Sequence, residues 1–165
     1  MFGFAGRNTP ARPTLDSIRF ETAGLRPRGE PMPGKTRAWG TPDGDGVGVY
    51  LFARPPNLPR ARTLAELRAH YDALMEEEGG TVVDVALIRV DACDALRTIV
   101  TVGFTYVGSV TIPFRDFSFV LKIQAADDTR DPEARTRRAL DHMAATARLD
   151  ASIKALPGFA LPNPA

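Results

Sequence analysis

The residues able to do chemistry are few and scattered. Histidine occurs twice, at His70 and His142, and cysteine once, at Cys93. Neither histidine stands in a His-x-x-x-His or Cys-x-x-Cys context, so a zinc site would need both to converge with a third ligand. A Cys–His nucleophile would need Cys93, expected in a turn, to meet one of them beside a third group that orients the base. The sequence offers no candidate for that group. Asp127-Asp128 is a paired carboxylate just past a strand end, where general acid–base groups occur, but turns leading into helices are Asp-rich for capping reasons alone. Asp43 and Asp45 flank Gly44 as in a calcium loop, without the further oxygen ligands and closing Glu that such a loop needs. No Gly-x-Gly-x-x-Gly or phosphate loop occurs. No catalytic residue, metal ligand or cofactor is expected.

Two polar sets remain. Arg97, Tyr106, Lys122 and Gln124 interrupt otherwise apolar strands. A lysine inside a central strand must snorkel or be paired. If the sheet exposes that face, these residues floor a shallow ligand or peptide site, with Trp39 beside them. If a helix covers it, Lys122 pairs with a carboxylate such as Glu133 and the set is structural. The second set is Arg54-Pro-Pro-Asn-Leu-Pro-Arg-Ala-Arg62, where three prolines bar a helix. Arg54, Arg60 and Arg62, together with Trp39, are the candidate partner-binding residues: a stiff basic loop fit for an acidic partner. Its plainer alternative is a strand-to-helix connector with solvated arginines.

The elements that must position these side chains centre on residues 104–125. Phe117, Phe119, Leu121 and Ile123 alternate with Ser118, Val120, Lys122 and Gln124, the period-2 signature of a strand with one core face. Pro113-Phe-Arg-Asp116 separates this run from the β-rich run 104–112, so the two form an antiparallel hairpin at the centre of a sheet. An earlier hairpin joins strands 36–40 and 47–53 through Thr41-Pro-Asp-Gly-Asp-Gly46. Strand 81–91, apolar on both faces, is expected inside the sheet, returning as strand 96–102. Thr63-Leu-Ala-Glu66 is a capping box opening a helix that Gly79-Gly80 ends. Asp131-Pro132 starts a second helix running to about Arg148, with a stripe of Leu140, Met143, Ala144 and Ala147. The stretch 24–34 is too rich in Pro and Gly for regular structure.

These elements make a single α+β domain, an α/β/α sandwich whose mainly antiparallel sheet of about six strands carries one helix on each side. Residues 1–16 are expected as an irregular arm, 17–156 as the domain and 157–165 as an extended tail. The 165 residues allow one real core, and 44% hydrophobic with 25% charged residues is an ordinary globular composition. The formal net charge of +1 gives no field toward nucleic acid or an anionic membrane. Of 21 basic residues only Lys35, Lys122 and Lys154 are lysines, a bias that GC-rich coding produces without functional cause. With a single cysteine, no internal disulfide can form, and no stretch is long and apolar enough to span a bilayer. A cytoplasmic chain without membrane insertion is expected.

The run Tyr106-Val-Gly-Ser-Val-Thr-Ile-Pro-Phe-Arg-Asp-Phe-Ser-Phe-Val-Leu-Lys-Ile-Gln124 and the acidic turn after it resemble bacterial members of the PsbP-like superfamily, over roughly residues 35–150. The resemblance implies the same α/β/α sandwich. It also implies a non-enzymatic binder, since that superfamily holds photosystem extrinsic subunits, a Ran-release factor, bacterial lipoproteins and secretion-effector chaperones. Where bacterial relatives show Glu-x-Gly-x-Thr-Gly-x-Arg-Glu, this chain has Ala126-Asp-Asp-Thr-Arg-Asp-Pro-Glu-Ala-Arg135, in which only Thr129, Glu133 and Arg135 echo the pattern. The expected function is a protein-binding module, an adaptor or effector-chaperone-like protein of a bacterial secretion or toxin system with an acidic protein partner. The alternatives are a small-molecule binder or enzyme built on the polar strand residues, and a homodimer formed through an exposed sheet face.

Overall fold

The computed structural model describes residues 11–29, 32–126 and 130–163. A 3-10 turn (Leu15–Ser17) leads into β1 (Ile18–Arg19), β2 (Arg26–Arg28), β3 (Thr36–Gly40) and β4 (Gly46–Phe52). Helix α1 (Leu64–Glu78) follows, then β5 (Gly80–Val90), β6 (Cys93–Val102), β7 (Thr105–Pro113) and β8 (Ser118–Ala126). Helix α2 (Pro132–Thr146), β9 (Arg148–Leu149) and the short α3 (Ala151–Lys154) complete the chain. Seven strands form one antiparallel sheet in the order β2-β3-β4-β8-β7-β6-β5, and β1 pairs separately with β9.

The 104–125 hairpin lies at the middle of this sheet, as its alternation requires. Val110 faces Leu121 and Ile112 faces Phe119 across β7–β8, while Val47, Val49 and Leu51 of β4 oppose Ile123, Leu121 and Phe119 from the other side. On this face α2 lays Leu140 and Met143, each at most 1% exposed. Burying such a side chain contributes about 1.5–3 kcal/mol. Close approach is set by Gly108: a Cβ there would stand 2.6 Å from Thr136 Cγ2 and 2.7 Å from Leu140 Cδ1. Thr136, fully buried, returns its hydroxyl to the Pro132 carbonyl at 2.7 Å, which lets a polar residue sit against the sheet.

Helix α1 packs on the opposite face, over β5 and β6, with Leu67 sealed against Val82, Val85 and Leu96. Its ends follow the sequence signals closely. Thr63 Oγ1 accepts the Glu66 N–H at 3.2 Å, and Gly79 takes the left-handed conformation (φ 73°) that ends the helix. The box closes one residue out of place, however: Glu66 accepts the N–H of Arg62, at 2.8 Å, so the acid ties the loop rather than the cap.

Three expectations are corrected. The stretch 24–34 is not wholly irregular: Arg26–Arg28 pairs with β3 as an outer strand, the seventh of the sheet among the described residues. Pro27 is tolerated there since an edge strand can turn a missing N–H away from its partner. Strand β5 is the other edge, not an inner strand. It is apolar on both faces because α1 covers one side while Ile88 and Val90 join the α2-side core. Asp131 caps α2 with no side-chain hydrogen bond, its own backbone being left-handed (φ 46°), and the helix ends at Thr146. Leu15, 4% exposed, belongs to the main core, Ala11 packs against it, and in the tail Leu161 packs against the α1 cluster.

Candidate functional site

Helix α1 covers only one end of its side of the sheet. Over β4, β8 and β7 no helix among the described residues lies on that side, and the register fixes which residues floor the open half. They are Tyr50 and Phe52 from β4, Val120, Lys122 and Gln124 from β8, and Val107, Ser109 and Thr111 from β7. Most are half-buried by their neighbours alone, and Gln124 is exposed.

A stacked row crosses this floor. The rings of Tyr50 and Phe52, two residues apart on β4, are nearly parallel (5°) with centroids 6.1 Å apart. Lys122 Nζ lies 5.6 Å from the Tyr50 centroid, and the Arg54 guanidinium 5.8 Å from that of Phe52. Each cation is held by a ring face rather than by a carboxylate. Neither cation has an ion-pair partner among the described residues. None of the α1-side strand positions of β2, β3, β4, β8 and β7 carries an Asp or Glu.

The row continues into the basic loop. A small recess beside Arg54 is lined by Phe52, Tyr71, Thr111 and Ser118, and burial pushes the Tyr71 phenol above its ordinary value, so it stays a hydrogen-bond donor. Through Pro55, Pro56 and Leu58 this recess meets a cleft of about 740 Å³ between the loop and the C-terminal tail, lined by Arg60, Arg62, Arg115 and Phe159. Arg115 is neutralised by Asp116 at 2.9 Å. The surface from Lys122 to Arg62 is therefore continuous, cationic and partly aromatic.

The sequence-derived candidates divide between the two faces. Lys122 and Gln124 stand on the open half with Arg54, Arg60 and Arg62 at its end. Arg97 and Tyr106 point to the α2 side. There Arg97 binds Asp84 at 3.0 Å and Asp141 of α2 at 3.3 Å, a bridge between sheet and helix, and Tyr106 packs on the main core. Trp39 is also on that side, edge-on to Phe20 with centroids 5.1 Å apart. Glu133 pairs with Arg137, not with Lys122. Tyr50 and Phe52 were not singled out from the sequence. Their signal was present in the two-residue spacing Tyr50, Phe52, Arg54 on a strand whose alternate residues are Val49 and Leu51.

Among the described residues the nucleophile and acid–base candidates do not form a site. Cys93 lies in β6, its thiol raised by burial and by the Asp91 charge, the opposite of what activates a cysteine. His142 Nε2 is 2.8 Å from the Glu21 carbonyl and His70 is edge-on to Tyr71. Asp45 is buried in a two-pronged ion pair with Arg135, at 3.0 and 3.1 Å. Asp127, Asp128 and Thr129 lie outside the described residues.

Among the described residues the antiparallel sheet carries α2 on one face and α1 on part of the other, and the rest of that second face is lined with stacked rings and cations. No protein-family model and no curated protein matches the sequence. The fold itself is shared. The chain is similar to the cyanobacterial PsbP protein of Synechocystis, with a TM-score of 0.56 and 10% identity over 91% of this chain and 99% of that one. It is similar to the Ran-binding protein Mog1p of Saccharomyces cerevisiae, with a TM-score of 0.51 and 13% identity over 81% and 90%. A point mutant of Mog1 gives 0.52 and 14% over 84% and 94%. The chain has the Mog1/PsbP-like fold.

Proposed function

We propose that this chain is a non-enzymatic protein-binding module that takes an acidic, extended segment of its partner along the open half of the sheet. The observation that carries this is the row Lys122, Tyr50, Phe52, Arg54, which presents ring faces and carboxylate-free cations on a surface left bare by α1. Such a row suits carboxylates alternating with apolar or aromatic side chains, since an extended segment also repeats every two residues. Arg60 and Arg62 lengthen the basic track. Relatives in fold include a protein whose name gives a protein partner, Ran, at an identity too low to carry that partner over. Within this class, an adaptor or effector chaperone of a bacterial secretion or toxin system is the setting we favour. A gene neighbourhood free of such systems counts against it.

The test compares the native chain with Lys122→Glu/Arg54→Glu as baits in the host extract and, for affinity, with a labelled Glu- and Phe-rich peptide. A stoichiometric partner retained by the native chain and lost by the double variant supports the proposal. So does a peptide affinity lowered at least about tenfold by losing two charge contacts. Arg19→Ala, an exposed cation on the far side, should change neither. A partner held equally by both baits overturns the site, and no partner at all overturns the module.

A further inference from the structure

We infer that the α2 side holds a second, independent site: a pocket for a small amphipathic monoanion, such as an aryl or medium-chain carboxylate. Its apolar body would lie over Ala139 and its charged head at Arg138. The pocket encloses about 360 Å³ between α2, the turn at residues 41–45 and the loop at residues 23–25. That volume is at the lower end of known ligand sites. Its floor is apolar, made by Val47 and Ile123 of the sheet with Met143 of α2, and Leu25 forms one wall.

Both walls are fastened to α2, so the space exists before any ligand arrives. Arg135 grips Asp45 of the turn through two hydrogen bonds, and the turn is closed by Thr41, whose Oγ1 accepts the Asp45 N–H at 3.0 Å. Two helical turns later His142 meets the Glu21 carbonyl at 2.8 Å, while Thr146 Oγ1 accepts the Glu21 N–H at 3.1 Å. Residues seven apart lie on one face of a helix, and Arg138 and Ala139 fall between them. The small Ala139 side chain leaves the gap. At the rim, the Asp45 carboxylate is already neutralised by Arg135, and His142 is engaged. Arg138 is exposed and has no ion-pair partner among the described residues. Asp43, also lining the pocket, lies on an exposed turn and adds negative charge there, which disfavours a ligand with a second anionic head. An apolar floor with one available cation selects an apolar anion.

The full chain is titrated with anilinonaphthalene sulfonate, an apolar aromatic monoanion whose emission rises on burial. One saturable site with an unchanged near-ultraviolet circular dichroism spectrum is expected. Octanoate should displace the probe, octanol at least about tenfold less well, and acetate not at all, the difference being one charge-assisted contact. Arg138→Gln should weaken the probe by a similar factor, and Ala139→Phe, which fills the gap, should abolish it. Absence of saturable binding overturns the inference, as does equal displacement by octanol and octanoate. Undiminished binding by a natively folded Ala139→Phe chain does so too. If Ala139→Phe does not fold, an unchanged affinity in Arg138→Gln is decisive in the same sense. Lys122→Glu/Arg54→Glu should bind the probe normally, so the pocket and the sheet face stand or fall separately.

Discussion

Gly108 shows how one residue sets the spacing of two layers. A methyl there would stand well inside contact distance of Thr136, which is β-branched and stiff, and of Leu140, which is fully buried, so neither can yield cheaply. Gly108→Ala gains a little from a stiffer unfolded chain but loses more by lifting α2 off β7 and β8, for a net loss of about 1–2 kcal/mol. Urea unfolding should show it as a lowered midpoint, with Gly29→Ala, whose added methyl meets nothing within 4 Å, near neutral as a control. Restored stability in Gly108→Ala/Leu140→Ala relative to the sum of the single changes would confirm that the clash is local. At this scale the sequence was only half legible. That Lys122 stands on the mixed face of its strand, away from Phe119, Leu121 and Ile123, is visible in the alternation itself, yet Tyr106 and Arg97 do not share that face. Tyr106 pairs with Ala125 and Lys122 with Ser109, which puts the two polar residues on opposite faces. A strand's own period tells which residues share its face; only the register with its neighbour tells which faces coincide.

Among the elements, α1 was the most legible because its signals are local: a Thr cap, an acid three residues on, and a glycine at the end. The positions of β2 and β5 at the edges were not legible, since edge status depends on the order of strands far apart in sequence. The short C-terminal pair β9 and α3 is held in a way the sequence did not announce either. Asp91 sits in the β5–β6 turn with φ 46°, and its carboxylate accepts the Leu149 N–H at 2.8 Å and meets Lys154 Nζ at 3.2 Å. The Leu149 hydrogen bond, followed by the Lys154 contact, holds the Asp91 carboxyl below its ordinary value. A folded-state pKa below the unfolded one, near 3.9, gives stability that is fully present above about pH 4–5 and is lost as pH falls toward the folded value. Asp91→Asn keeps the left-handed turn, which Asn tolerates well, but removes the charge. The native chain should therefore be the more stable at pH 7. The gap should narrow as pH falls below about 4, read by urea unfolding at several pH values. A gap that stays constant down to pH 3 would show that Asp91 acts by shape alone.

At the scale of the whole molecule the two cores are unequal. The α2 side gathers residues from most of the strands, together with the 3-10 turn, β1, β9 and α3, whereas the α1 side closes over Leu67, Val82, Val85 and Leu96 with the tail residue Leu161 leaning on them. Fewer buried contacts make a unit that opens more readily than the rest. The amides of α1 should then exchange through an opening less costly than global unfolding, while those of β7 and β8, paired on both sides and covered by α2, exchange only when the chain unfolds. Leu67→Ala sharpens the distinction, because a fully buried leucine cut to alanine costs about 2–5 kcal/mol where the site cannot collapse. If α1 is a separable unit, most of that loss appears as faster exchange in α1 and the outer residues of β5. Protection in β7 and β8 then falls by much less at low denaturant. Equal losses of protection in both layers would mean one cooperative core. The unequal case has a corollary for the proposed site: α1, which borders the open sheet face, is then the looser layer, free to adjust over β5 and β6, while the α2 layer holds the floor still.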